Sequence, residues 1–207
     1  MKQRIVCFCE HNFETDIPAM VDLGREPEVE EQIVRGEFLN VRCPACGKVL
    51  KPEFPVFIKD PQAENSIFFV PELDRSAFYR GNLPYSLQEA NRVAIGYEEL
   101  AEKFMIKRNG LDDRVLEIVK YYLLGKILED FEGEKEVRIL FSKREADNVF
   151  FTVHGWKEEE VGVLKVTRET LDKAAAQLEE KRIQEPFSEI LNAPYISINK
   201  LYAEGLD

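Results

Sequence analysis

Cysteine disappears from this chain after residue 46, although 161 residues follow. All four cysteines sit in two close pairs near the N-terminus, which points to a small module with its own staple rather than a disulfide framework across the whole protein. Basic residues are in deficit: 28 Lys and Arg stand against 39 Asp and Glu, a formal charge of −11. Sequence-independent nucleic-acid binding relies on Lys and Arg neutralising phosphates, so this balance argues against it, and against an anionic membrane surface. No apolar run approaches the ~18 residues of a membrane span. The start, MKQRIVCFCEHNF, has two basic residues but no apolar core or cleavage site of a signal peptide. There is no phosphate loop, no nucleotide fingerprint and no Ser-His-Asp arrangement. His154 in HGW has no nearby cysteine, serine or second histidine and reads as a strand-end residue. These absences together predict a water-soluble, cytoplasmic protein.

What is present is enough for a sizeable core: 44% of residues are hydrophobic and 32% charged. RIVCFC predicts a strand ending at the first cysteine pair, and FETDIPAMVDL a second extended piece. EPEVEEQIVRGEF predicts a short helix, with Pro27 in its first turn, acidic residues at its start and Gly36 at its end. LNVRCPACGKVLKPEFPVFI reads as strand, knuckle and strand; after a turn at Asp60-Pro61, NSIFFVPEL is another strand. Residues 74–91 read as loop with a helical turn, and RVAIG as a short strand. YEELAEKFMIKRNG is a helix that ends at Asn109-Gly110. LDDRVLEIVKYYLLGKILEDF is the clearest helix: Asp112 is its N-cap, with Val115, Ile118, Val119, Tyr122, Leu123 and Ile127 on one face. EVRILFS, NVFFTVHGW and VGVLKV predict three strands, followed by a helix with Thr167 at its start and a terminal helix opening at Ser197 or Asn199.

The chemistry-bearing stretch is Cys43-Pro44-Ala45-Cys46-Gly47. Two cysteines with two residues between them have the spacing of a zinc knuckle. Cys7 and Cys9, with one residue between them, would complete a tetrahedral set, since side chains two apart on a strand share a face. Because four thiolates close the shell and leave no position for an activated water, a structural Zn2+ is expected rather than a catalytic one. His11, two residues beyond Cys9, is the alternative ligand or a neighbour outside the shell; neutral imidazole also binds zinc. A competing use of Cys43 and Cys46 is as a redox dithiol, which calls for a helix N-terminus at the first cysteine. GKVLKPEFP is a poor helix, so metal is favoured.

Other residues invite chemistry but have plainer uses. Asp112 and Asp113 at a helix start read as cap and dipole partner, and Arg92 and Lys120 as architectural partners for these aspartates. Phe150, Phe151 and Trp156 could form a binding patch, although aromatics alternating on a strand usually face a core. EEE at 158–160 reads as a solvated turn.

The chain resembles the CpXC domain family of bacterial and archaeal proteins. Cys43-Pro44-Ala45-Cys46, with Gly47, matches the element that names it, and Cys7-Phe8-Cys9 the first pair. Glu10-His11 stands where the family has glycine. FPVFIKDP, IFFVPE and RVAIGYEELAEKFMIKRNGLDDRVLEIVK are similar to later family segments, and PYISINKLYAEGL is weakly similar to a closing helix. The resemblance implies a metal-binding domain and supplies no reaction.

The expectation is therefore an α+β protein with a zinc-ribbon-like β module and helices over residues 1–128, then a small α+β unit over 129–207. Cys7, Cys9, Cys43 and Cys46 hold Zn2+, with His11 beside them. The function expected is non-enzymatic, an interaction module for an unknown protein partner; the alternative is a thiol oxidoreductase or zinc-linked redox sensor.

Overall fold

The structure is a computed structural model that describes residues 1–61, 65–87, 89–129, 137–157 and 160–205. Its class is α+β, as expected. The chain packs as two compact units, Met1–Ala101 and Glu102–Asp207. The expected division at 128/129 follows the family resemblance; the packing division lies within the first long helix.

In the first unit, β1 (Lys2–Val6) and β2 (Asn12–Asp16) form an antiparallel hairpin with Ile5 opposite Phe13. The extended piece after the first cysteines is thus two strands. Beyond Pro18 the chain enters β3 (Met20–Asp22), which joins a different sheet. Helix α1 (Glu28–Val34) has Pro27 before it and Glu28, Glu30 and Glu31 in its first turn, where carboxylates favour the dipole. Its buried Val29 and Ile33 lie four apart on one face. A minimal hairpin of β4 (Val41–Arg42) and β5 (Val49–Leu50) follows.

The four-stranded sheet adds β6 (Val56–Asp60) and β7 (Asn65–Val70), a 3-10 turn at Glu72–Asp74, helix α2 (Arg75–Tyr79) and β8 (Arg92–Ile95), in the order β3-β6-β7-β8. β6 and β7 are antiparallel, while β3 runs parallel to β6 and β8 parallel to β7. Ile67 to Val70 are all buried, which is why that strand reads as an unbroken apolar run rather than an alternating one. Helix α3 (Gly96–Arg108) starts directly after β8.

In the second unit, α4 (Asp113–Glu129) is capped as expected: Asp112 Oδ1 accepts the Arg114 N–H at 2.9 Å. Its buried face is wider than periodicity alone predicts. Leu116 and Leu124 are buried, whereas Tyr122 is exposed. Strands β9 (Arg138–Glu145), β10 (Asn148–Lys157) and β11 (Glu160–Thr167) form an antiparallel meander in the order β11-β10-β9. One sheet face, with Ile139, Phe141, Val149, Phe151, Val153 and Val166, packs into the core that holds Leu116, Ile118 and Val119. Thr167 precedes α5 (Arg168–Ala176), but its hydroxyl meets the Thr170 hydroxyl at 3.2 Å instead of a backbone N–H. Short helices α6 (Leu178–Lys181) and α7 (Phe187–Ile190) follow, and the closing helix is 3-10, Ile198–Gly205. The Ser197 hydroxyl accepts the Asn199 N–H at 3.1 Å, in keeping with a start there. Residues 158 and 159, two of the three glutamates read as a solvated turn, lie outside the described residues.

Lys120 is buried between two carboxylates, 2.6 Å from Glu102 and 2.8 Å from Glu117. The architectural pairing expected of Lys120 is thus made with glutamates; Asp113 pairs with Lys103 and Asp112 with Arg114. Glu117 also accepts the Ile198 N–H at 2.8 Å, and Glu102 accepts the Phe141 N–H. Burial raises the Glu102 carboxyl above its usual range, with the Lys120 cation pulling the other way. For Lys120 burial opposes the charge, but the two carboxylates outweigh it and its pKa rises. Removing the cation would leave two buried carboxylates facing each other. Lys120→Met is expected to destabilise the chain by about 3–5 kcal/mol in denaturant titration.

Candidate metal centre

Two turns of related design carry the cysteines. In the first, the Cys7 N–H donates to the His11 carbonyl at 2.9 Å and the Glu10 N–H to the Cys7 carbonyl at 2.8 Å. In the second, the Cys43 N–H donates to the Lys48 carbonyl at 2.9 Å and the Gly47 N–H to the Cys43 carbonyl at 2.9 Å. Each turn leaves through a residue in the left-handed region, Glu10 at φ 65° and Gly47 at φ 73°. The first turn is the second shortened by one residue, which accounts for CxC opposite CxxC. Gly47 meets the backbone requirement without strain, whereas Glu10 carries a Cβ into it.

The four sulfurs all lie within 4.8 Å of one another. Across the turns, Cys7 Sγ is 3.5 Å from Cys46 Sγ, and Cys9 Sγ is 3.8 Å from Cys43 Sγ. A disulfide would be about 2 Å, and these thiols are free. A tetrahedron with metal–sulfur bonds of about 2.3 Å has sulfur–sulfur edges of about 3.8 Å, so the spacing fits a metal ion. Each turn offers one buried sulfur, Cys7 at 2% exposure and Cys43 at 1%, and one exposed, Cys9 or Cys46. Ile5 and Leu50 pack with the buried pair, and Phe13, Val41 and Phe54 complete the small cluster.

The thiols do not ionise alike. Burial pushes Cys43 up, but the N–H groups of Cys46 and Ala45, with the Cys7 and Cys46 thiols, bring it down to about 6. At Cys7 the Cys9 N–H favours the thiolate, yet burial and hydrogen bonds to the other three sulfurs push it up to about 12. One thiolate is easily formed here, and a second beside it needs a cation.

His11 is absent from this donor set. Its ring stacks with Phe13, centroids 6.1 Å apart, and its carbonyl closes the Cys7 turn. His154 and Asp112 are far along the chain and belong to the second unit. Of the suspected aromatic patch, Phe151 is buried, Trp156 packs against the core, and Phe150 takes the opposite sheet face.

Sequence reasoning passed over the residues that tie the second turn to the four-stranded sheet. Tyr97 Oη donates at 2.6 Å to the Phe38 carbonyl and 2.9 Å to the Pro52 carbonyl. Glu53 accepts the N–H groups of Tyr97, at 3.1 Å, and Glu72. Gly96 lies at φ +75°, which favours glycine, and a Cβ there would displace the Glu72 carboxylate, whose Oε2 would be 2.5 Å away. The visible signal is the Gly96-Tyr97 pair between a strand and a helix.

A family model described as CpXC protein matches residues 5–120, more than half of the chain. The chain belongs to the CpXC family. An uncharacterized protein of Treponema pallidum (strain Nichols) is 24% identical over 217 aligned positions, which cover 96% of this CpXC chain and 98% of the relative. No solved structure matches. The match spans both cysteine pairs and runs on to Lys120.

Relieving Glu10 of its left-handed conformation has a measurable consequence. Glu10→Gly is expected to stabilise the cysteine turns by about 1 kcal/mol, and Gly47→Ala to destabilise them by a similar amount. Urea titration monitored by NMR signals of residues 5–13 would check both.

Proposed function

We propose that Cys7, Cys9, Cys43 and Cys46 bind one Zn2+, and that this ion is structural in a non-enzymatic, cytoplasmic protein-interaction module. The observation that carries the reading is four sulfurs within 4.8 Å, each supplied by a turn closed by its own backbone hydrogen bonds. Soft thiolates select zinc over the hard divalent cations. A divalent ion would also favour the thiolate of Cys7, which burial and hydrogen bonds to the other sulfurs otherwise disfavour. With four protein ligands the shell has no position for substrate or water.

The low pKa of Cys43 favours the rival reading, a CPAC dithiol in redox exchange. Two features weigh against it. Cys43 is the buried member of its pair, and a β-hairpin turn surrounds it in place of a helix N-terminus. Around a bound ion the same N–H donors would stabilise a ligated sulfur.

Elemental analysis of protein purified without chelator should give about one zinc per chain. Cys9→Ser should lose the ion. His11→Ala should keep the stoichiometry and release zinc faster to a competing chelator, because it removes the imidazole that stacks on Phe13 at the edge of the cysteine cluster without removing a ligand. Retention by C9S together with loss in H11A would replace Cys9 by His11 as fourth ligand. Folded, metal-free protein would end the zinc reading altogether.

Chelation should act locally. Ligation in small zinc modules is coupled to folding with free energies on the order of 10 kcal/mol. Hydrogen exchange after zinc removal should lose protection in β1, β2, β4 and β5 while β7 and β8 keep it. Equal loss throughout the first unit would mean that the cysteine turns and the sheet are one cooperative element.

A further inference from the structure

The second unit's sheet has one face in the core and one whose side chains are exposed or half-buried. On the open face the register aligns Leu140, Thr152 and Val163 in one row across all three strands. In the next row Phe150 lies between Lys143 and Lys165. Val163 is 65% exposed and Val161, two residues before it on the same edge strand, 55%. Leu140, Phe150 and Thr152 are half-buried, shielded by their neighbours but not covered. Buried alternation on one face and apolar residues retained on the other differ from the usual polar outer side of an antiparallel sheet.

Charge separates this face from the rest of the protein. Lys143 and Lys165 flank the apolar row, and among the described residues the acidic one that the register places beside them is Glu145, 2.6 Å from Lys143. Two lysines against one glutamate leave this row with a positive excess on a chain of net −11. Lys143 Nζ also stands 5.2 Å from the centre of the Phe150 ring, which holds an ammonium group beside the apolar row.

We propose that this face is a docking surface for an acidic, amphipathic protein segment. The inference rests on the interaction-module reading and gives the partner its chemistry. Apolar side chains of the segment would cover Leu140, Thr152 and Val163, and its carboxylates would meet Lys143 and Lys165. A single-stranded nucleic acid fits less well. Stacking needs open aromatic faces; this surface has one ring, with Lys143 over it, and otherwise aliphatic side chains. The carboxylates contribute specificity and encounter rate, and the apolar row supplies the area.

Chemical-shift mapping on the intact, zinc-loaded chain tests the proposal. The probes are a 16-residue Glu/Leu amphipathic peptide of ~1.5 Å rise per residue when helical, its Lys/Leu charge-inverted twin, and oligo(dT). The Glu/Leu peptide should give saturable shifts at Leu140, Phe150, Thr152 and Val163. Lys143→Glu/Lys165→Glu should weaken it by about tenfold, near the limit for two rim charges. Lys165→Glu alone, which disturbs no ion pair seen in the structure, should weaken it by a smaller factor, and Lys165→Arg should preserve binding. No saturable shift, shifts centred elsewhere, or equal binding of either control probe would overturn the surface. Zinc measured on the same samples keeps the two readings apart: one zinc without peptide binding defeats this inference alone, and peptide binding without zinc defeats the metal reading alone.

Discussion

The two cysteine turns depend on bringing four sulfurs, carried by chain segments 33 residues apart, within 4.8 Å of one another. Little else could hold the two turns together. The buried cluster beneath them contains Ile5, Leu50 and two of the cysteines themselves, with three partly buried side chains at its edge. An apolar cluster of that size is far below what an independent domain needs. Lys2 faces Asp16 and Arg4 faces Glu14 across the first hairpin, but exposed cross-strand pairs contribute well under 1 kcal/mol each. On the zinc reading, the metal–sulfur bonds supply the missing stability. The intervening 33 residues contain β3 and α1, and β3 is anchored to the four-stranded sheet, so the return of the chain to Cys43 is guided rather than random.

That arrangement explains which parts of the structure were legible in the sequence. The cysteine pairs were, because ligand spacing is local and few other residue types could replace them. The long α4 helix was, because Asp112 and the apolar repeat agree with each other, and β7 was, because a strand buried on both faces is apolar throughout. Side-chain partners were harder. Lys120 is three residues from Glu117, a visible helical pair, but its other partner Glu102 becomes a neighbour only when α3 and α4 pack. The anchoring of Phe38, Pro52 and Glu53 by Tyr97 is likewise tertiary, and nothing local in KPEFP announces it. Helices α6 and α7, four residues each, have too few positions for a period to show.

The open face of the meander was hidden for a related reason. Phe150, Phe151 and Trp156 look alike in a sequence, and alternation alone says only that Phe150 and Phe151 point opposite ways. The register then separates them. Phe151 lies opposite Phe141 in the core, while Phe150 lies opposite Lys143 and Lys165. A one-residue bulge between Phe150 and Phe151 keeps Lys143, not Ser142, beside the exposed ring. Without that bulge Ser142 would take the place opposite Phe150, and the lysine pair that gives the surface its sign would be broken up.

Segment 92–120, which carries much of the resemblance to CpXC proteins, can now be read for what its charged residues do. Glu99 accepts the Ile95 N–H at 3.0 Å and an Arg75 guanidinium N–H at 2.9 Å. Lys103 donates to Asp113 at 2.9 Å and to the Ile196 carbonyl at 2.8 Å. Asp112 caps α4, and Glu102, Glu117 and Lys120 satisfy one another and two backbone N–H groups. Each of these groups is committed to a partner that holds helices, strands or the C-terminal segment in place. A catalytic acid or base must reach a substrate to exchange a proton, and Glu102 and Glu117, at 3% and 1% exposure, are buried around Lys120. The pattern that identifies the family in this segment is therefore one of architecture. Its chemistry has to be sought where side chains remain accessible, at the cysteine turns and on the open sheet face.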